Sequence, residues 1–232
     1  MDRTAVERYR LSLFGRMIMG VAHEVDNHLS VILGFSELVQ IAAGNEQKVR
    51  DGAGKILAAG ERTGAIIRNY ARYVRSHPPA PEAFPPGEMI REILTFARYD
   101  LGRNNVILSP PAPVHAGLLR GDRSDLALAL LALLFNGSEA MGAGGGELGL
   151  SAGNVDGGWE FTVSDRGTGL PAGLEGKVFE EGFTTRGEPC HAGMGLPVAR
   201  RLVGEAGGTV ELRNRPGGGC IAAIRVPAGS PG

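Results

Sequence analysis

The chain has 232 residues, enough for one large domain or two modest ones, with 43% hydrophobic and 21% charged residues. A formal net charge of -1 gives no electrostatic case for nucleic acid or an anionic membrane surface as partner. The two cysteines, Cys190 and Cys220, cannot build a disulfide framework and fit a reducing, cytoplasmic setting. No apolar run reaches the roughly 18 residues a membrane span needs, and the charged start MDRTAVERYR lacks the apolar core of a secretory leader.

In chain order, two long helical patterns come first. Leu11, Ile18, Val25, Ile32 and Val39 recur at heptad spacing, with Phe14, Val21, His28 and Phe35 as a second row. A second helix carries Val49, Ile56, Thr63 and Tyr70 beside Ala53, Gly60, Ile67 and Val74. Ala42-Ala43-Gly44-Asn45 separates them with good turn chemistry. A two-helix hairpin buries too little alone, so pairing with a second copy into a four-helix bundle is expected.

The Pro-rich stretch Ser76 to Pro86 then reads as a linker, because proline breaks helices and extends its predecessor. Beyond it, helices are expected over Gly87–Arg98, Asp122–Met141 and Pro197–Ala206. Strands are expected over Val106–Ser109, Glu147–Ala152, Trp159–Ser164, Thr209–Arg213 and Cys220–Val226. This mixture predicts an α+β sandwich with a mainly antiparallel or mixed sheet.

Two constellations carry chemistry. With Val25 at heptad position a, His23 falls at f, on the outer face, and Asn27 lies one turn later on that face. Glu24 lies beside the seam. An exposed imidazole can be a nucleophile, and Glu24 can take its proton or fix its tautomer; an ordinary surface histidine fits the segment equally well. His28, on the seam, reads as structural. The second constellation is Asp165-Arg166-Gly167-Thr168-Gly169 after a strand, followed later by Gly193-Met194-Gly195-Leu196 at a helix start. An acid at a strand end can accept from an exocyclic amine, and amides at a helix start suit phosphate oxygens. The Gly-rich segment 174–192 between them reads as a lid. Asn136, on the apolar helix upstream, is either a Mg²⁺ ligand or a helix polar residue near a C-terminus.

The run His23-Glu24-Val25-Asp26-Asn27, with Leu29 and Ile32 to Leu38, resembles the H-box of sensor histidine kinases. Asn136, DRGTG, FEEGFTT (Phe179 to Thr185) and GMGL resemble, in that order, the N, G1, F and G2 boxes of the Bergerat (GHKL) ATP-binding fold. The resemblance covers about Phe14 to Pro227. It implies a dimerisation and phosphoacceptor hairpin over residues 1–77, a linker over 78–86 and a catalytic ATP-binding domain over 87–232. The dimer would form through residues 11–75. By the same likeness His23 is the phosphoacceptor, Glu24 assists its deprotonation and Asn27 supports phosphatase activity. Asp165 would bind the adenine amine and Asn136 would hold Mg²⁺. Phe179 and Phe183 would shape the lid. Gly167, Gly169, Thr185, Gly193, Gly195 and Leu196 would frame ATP, and the phosphoryl group would pass to an aspartate of a response regulator. Arg186 either reaches the γ-phosphate or is a solvated lid residue.

This sequence departs from the family where proline is usual at His28, where glycine is common at Pro197, and where a second amide or acid is usual at Ala132. Ala132 favours one rival reading, an ATP-independent phosphotransferase or phosphatase scaffold of the same fold. The intact DRGTG and GMGL runs speak against it. An ATPase that does not phosphorylate itself is a further rival, opposed by the His23–Asn27 face.

Overall fold

The computed structural model describes residues 2–75, 80–109, 117–171, 173–184 and 193–227. Helix α1 spans Arg3–Ile41 and α2 spans Glu46–Val74, packed as a hairpin. Asp2 caps α1 by accepting from the Ala5 amide, and Asn45 caps α2 by accepting from the Lys48 amide. Short β1 (Glu82–Phe84) and α3 (Pro86–Arg103) follow. Next come β2 (Val106–Leu108), β3 (Leu119–Gly121) and α4 (Arg123–Ala140). The chain then runs through β4 (Gly146–Val155), β5 (Gly158–Ser164), α5 (Gly195–Glu205), β6 (Thr209–Asn214) and β7 (Cys220–Pro227).

Five strands form one mixed sheet in the order β2-β4-β5-β7-β6, with β2 parallel to β4 and the other pairs antiparallel. Period-2 alternation points Leu148, Leu150, Trp159, Phe161, Val163, Ala222 and Ile224 inward, against α4 and α5. Helix α4 is apolar on every side, and Leu128 to Phe135 are all buried. Each large side chain so buried contributes about 2 kcal/mol. β1 pairs antiparallel with β3, so residues 82–84 belong to the sandwich and not to a free linker. Three-residue strands of this kind carry too few alternations to be read from sequence.

The heptad expectation needs two corrections. On α1, Phe14 and Val21 are buried, but Leu11 and Ile18 are 59% and 45% exposed. The first half of α1 buries Val6, Leu13 and Met17 as well. It does so by packing on α3 and α5 of the sandwich in addition to α2. On α2 the buried row is Gly52, Ala59, Ile66 and Tyr73, one residue ahead of the expected Ala53, Gly60, Ile67 and Val74. Small residues decide that register: a Cβ at Gly52 would lie 2.5 Å from Val39 Cγ2. At the other end, Tyr73 stacks on Phe14 with 6.3 Å between ring centroids, and Tyr70 donates to the Phe14 carbonyl at 2.7 Å.

Polar contacts fasten the same junction. Arg10, only 1% exposed, donates to Asp125 Oδ1 at 2.5 Å and to the Tyr73 carbonyl at 3.0 Å. Arg3 bridges Asp125 and Glu205 at 2.9 and 3.0 Å. Arg16 donates to Glu139 at 2.9 Å and lies 4.5 Å above the Phe135 ring. Most of these ion pairs are partly or fully removed from water, where removal of one partner leaves a costly lone charge.

Candidate nucleotide and phosphoacceptor sites

A cleft opens between α4, the end of β5 and the start of α5. Asn136, Asp165, Gly169, Phe183, Gly193, Gly195 and Leu196 all line it, so the structure brings most of the second constellation together. Asp165 is 4% exposed. Its Oδ1 accepts from the Gly167 amide at 2.8 Å and the Cys220 amide at 3.1 Å. Those two bonds fix the carboxylate at the floor of the cleft. Gly219 packs so tightly there that a Cβ would run into the Asp165 carbonyl oxygen, and its φ of +90° suits only glycine. Gly193 has φ +69°, and its Cβ would lie 2.5 Å from the Phe183 carbonyl oxygen.

At the far end, α5 begins at Gly195 with no side chain capping its first amides. Four amides at a helix start need acceptors, and a phosphate supplies them together with a charge that suits the helix dipole. Asn136 is half-buried beside this point. Among the described residues no cluster of three or more His, Cys, Asp or Glu could hold a metal by itself. A single amide such as Asn136 is compatible with Mg²⁺, which is usually held by one or two side chains plus phosphate oxygens and water.

Phe179 lies within the segment read as the lid. Its ring lies 5.2 Å from the Arg200 guanidinium, packed on α5, and the neighbouring Val178 lines the cleft instead. Thr185, Arg186 and Cys190 lie outside the described residues.

Several lining residues are not assigned to the site by the sequence, among them Tyr9, Glu139 and Cys220. Tyr9 reaches the cleft from α1, a tertiary contact that no local pattern announces. Glu139 lines it while paired with Arg16, and the i+3 spacing from Asn136 was the available signal. Cys220 lies under Asp165 at the start of β7. Burial, aided by the Asp165 charge, pushes its thiol up to about 11. The fold therefore favours the neutral thiol. That stabilisation is present below the ordinary 9.0 and is lost as pH rises through about 11. In a Cys190→Ser background, Cys220 is expected to react with a thiol reagent at pH 8 about a hundredfold slower than a free cysteine. A pH 8 rate matching free cysteine, read by mass spectrometry, would refute this.

The His23 constellation sits elsewhere on α1. His23 and Asn27 are exposed, and Asn27 Nδ2 lies 3.3 Å from His23 Nδ1. Glu24 leans instead towards His28, with 3.9 Å between Oε1 and Nε2. The His23 ring faces Tyr99 of α3, 5.4 Å between centroids and tilted by 36°. Tyr9 and His23 are fourteen positions apart on one helix, or about 21 Å at 1.5 Å per residue. The two constellations are thus separated along the molecule.

A sandwich of this topology, with a carboxylate at the floor and an uncapped helix start at the mouth, defines an ATP-binding domain of the Bergerat class. Residues 121–230 match the family described as histidine kinase-, DNA gyrase B-, and HSP90-like ATPase. The chain is 27% identical over 223 residues to the C4-dicarboxylate transport sensor protein DctB of Rhizobium meliloti, covering 94% of this chain and 35% of that protein. It is 25% identical to the sensor histidine kinase ZraS of Escherichia coli, covering 94% of this chain and 46% of that protein. The chain therefore spans about a third to a half of these relatives. Histidine kinase ThkA, solved in complex with response regulator protein TrrA, shares the fold with a TM-score of 0.56 and 23% identity. That match covers 96% of this chain and 64% of ThkA. Residues 121–230 thus carry an ATP-binding domain similar to those of sensor histidine kinases, and a helical hairpin carrying His23 precedes it.

Proposed function

We propose that the chain transfers the γ-phosphate of ATP to His23 and then to an aspartate of a response regulator. The observation that carries this reading is the pairing of an exposed His23–Asn27 face with the Asp165–Gly195 cleft in one chain. Asp165 accepts the exocyclic amine of adenine, and the first amides of α5 hold the phosphates. Asn136 holds Mg²⁺, which offsets charge on the transferring group.

At the acceptor, His23 Nε2 must present its lone pair, so Nδ1 must carry the proton. Asn27, turned so that its Oδ1 accepts from Nδ1–H, sets that tautomer. The bond from Nε2 to phosphorus forms as the bridging oxygen leaves with its electron pair on ADP. The Nδ1 proton then passes to Glu24 once that carboxylate turns from His28 to His23. Catalysis here is positioning and charge neutralisation, with no covalent chemistry required of the cleft. The separation of about 21 Å along α1 means that the sandwich must shift relative to the hairpin.

The exposed Leu11, Ile18, Leu33 and Leu38 support a homodimer through residues 11–75, since one copy leaves them uncovered. A response regulator as partner is supported by the ThkA–TrrA complex. The test is incubation of the purified chain with Mg²⁺ and γ-labelled ATP. Label that is acid-labile and base-stable is expected. Its absence from folded, dimeric protein would overturn the autokinase reading.

A further inference from the structure

The cleft read above as the ATP site has a side chain from α1 at its phosphate end. Tyr9 is 5% exposed. Its hydroxyl lies where a Cβ on Gly195 would be only 3.0 Å away, and that same Cβ would be 3.8 Å from the Ala132 methyl. Tyr9, Ala132 and the first residue of α5 therefore meet at one point. That point is where amides without a capping side chain would hold phosphate oxygens. A side chain longer than alanine at 132 would compete with the tyrosine for this space.

Further along, the same helix face is clamped. Arg10 reaches Asp125 and Arg16 reaches Glu139, itself a cleft-lining residue. Gly20 lets α1 press on α3, since a Cβ there would lie 2.9 Å from Tyr99 Cβ and 3.0 Å from the Phe96 carbonyl oxygen. One turn on, Tyr99 lies beside the His23 ring, 5.4 Å between centroids. The docked helix thus places Tyr9 at the cleft while Tyr99 of the sandwich rests against the acceptor ring.

We infer that this arrangement is an autoinhibited state, in which Tyr9 occupies the phosphate end of the nucleotide cleft and must leave before ATP binds. The inference rests on the nucleotide reading of the cleft. If a closed form dominates, observed affinity is reduced by the small fraction of open molecules, and changes that undock α1 raise it. Two variants reach this from different sides. Tyr9→Ala removes the obstruction itself. Gly20→Ala leaves the cleft untouched and strengthens α1 as a helix, while wedging it away from Tyr99 and Phe96.

The experiment is titration of the full chain with Mg-ADP, alongside amide exchange over residues 3–21. Both variants are expected to bind ADP at least about fivefold more tightly than the parent. Tyr9→Phe, which keeps the ring, is expected to bind like the parent. Nucleotide is expected to speed exchange over residues 3–21. Unchanged or weaker ADP binding by both Ala variants overturns the inference while leaving the nucleotide site intact. Weaker binding by Tyr9→Phe and Tyr9→Ala alike also overturns it, because the hydroxyl would then be a ligand contact. Where Tyr9→Ala does not fold, Gly20→Ala decides alone. No ADP binding by any form overturns both the inference and the site.

Discussion

Asp165→Asn is expected to weaken ADP binding by about tenfold to a hundredfold while leaving the fold intact. The size follows from losing a hydrogen bond to a charged acceptor, typically about 1.5–3 kcal/mol. The direction follows from geometry. Oδ1 is committed to the Gly167 and Cys220 amides, so a ligand amine meets the other oxygen. In the variant the amide oxygen keeps the two backbone donors, which turns its NH₂ group towards the cleft. Donor then faces donor, and the adenine amine loses its partner. Calorimetric titration with Mg-ADP checks the affinity, and thermal unfolding checks that the floor is undisturbed. An affinity equal to the parent's would remove Asp165 from base recognition and with it the orientation proposed for ATP in the cleft. The experiment also separates the cleft from the docked helix, because Tyr9 sits at the opposite end and should respond to nucleotide phosphates whatever the base.

Much of the sandwich was legible because its signals are local. Strands β4, β5 and β7 alternate apolar and polar residues, and α4 is apolar over a length no strand reaches. Asp165, Gly193 and Gly195 were legible because a nucleotide cleft needs few residue types in a fixed order, and the structure gathers them. What escaped is tertiary. The β1–β3 pair closes residues 84 and 119 together with three residues a side, too few for a period. The heptads of α1 were read as one continuous seam from Leu11, but a heptad does not say what covers it. In the first half of α1 the buried residues are Val6, Leu13, Phe14, Met17 and Val21, shared between the sandwich and α2, which leaves Leu11 and Ile18 outside. A helix offered two partners can satisfy only one on each face.

The same limit explains the sites. His23 was placed on an outer face by heptad position, and it is exposed. Its neighbour Tyr99 comes from a helix more than seventy residues later. Likewise Tyr9 and Ala132 are unremarkable in sequence and meet only through docking. Chemistry that depends on residue type within one element can be read directly. Chemistry that depends on which element covers which cannot.

His23→Ala is expected to abolish acid-labile phosphate incorporation from γ-labelled ATP while leaving Mg-ADP affinity close to the parent's. The first half follows because the transferred group needs an imidazole lone pair, and alanine offers none. The second half follows from position: His23 lies about 21 Å along α1 from the cleft, on the Tyr99 side of the sandwich and away from the Asp165 floor. Loss of both properties would mean that the variant had disturbed the docked helix, and the Gly20→Ala titration would then identify that route. Retained acid-labile label would move the acceptor to another imidazole. His28 is the candidate on this helix, with Glu24 already beside it at 3.9 Å. Its half-buried place on the seam argues against that outcome, since an in-line attack needs an open face at the nucleophile. Mapping the label by mass spectrometry at high pH, where phosphohistidine survives, would distinguish the two histidines in one experiment.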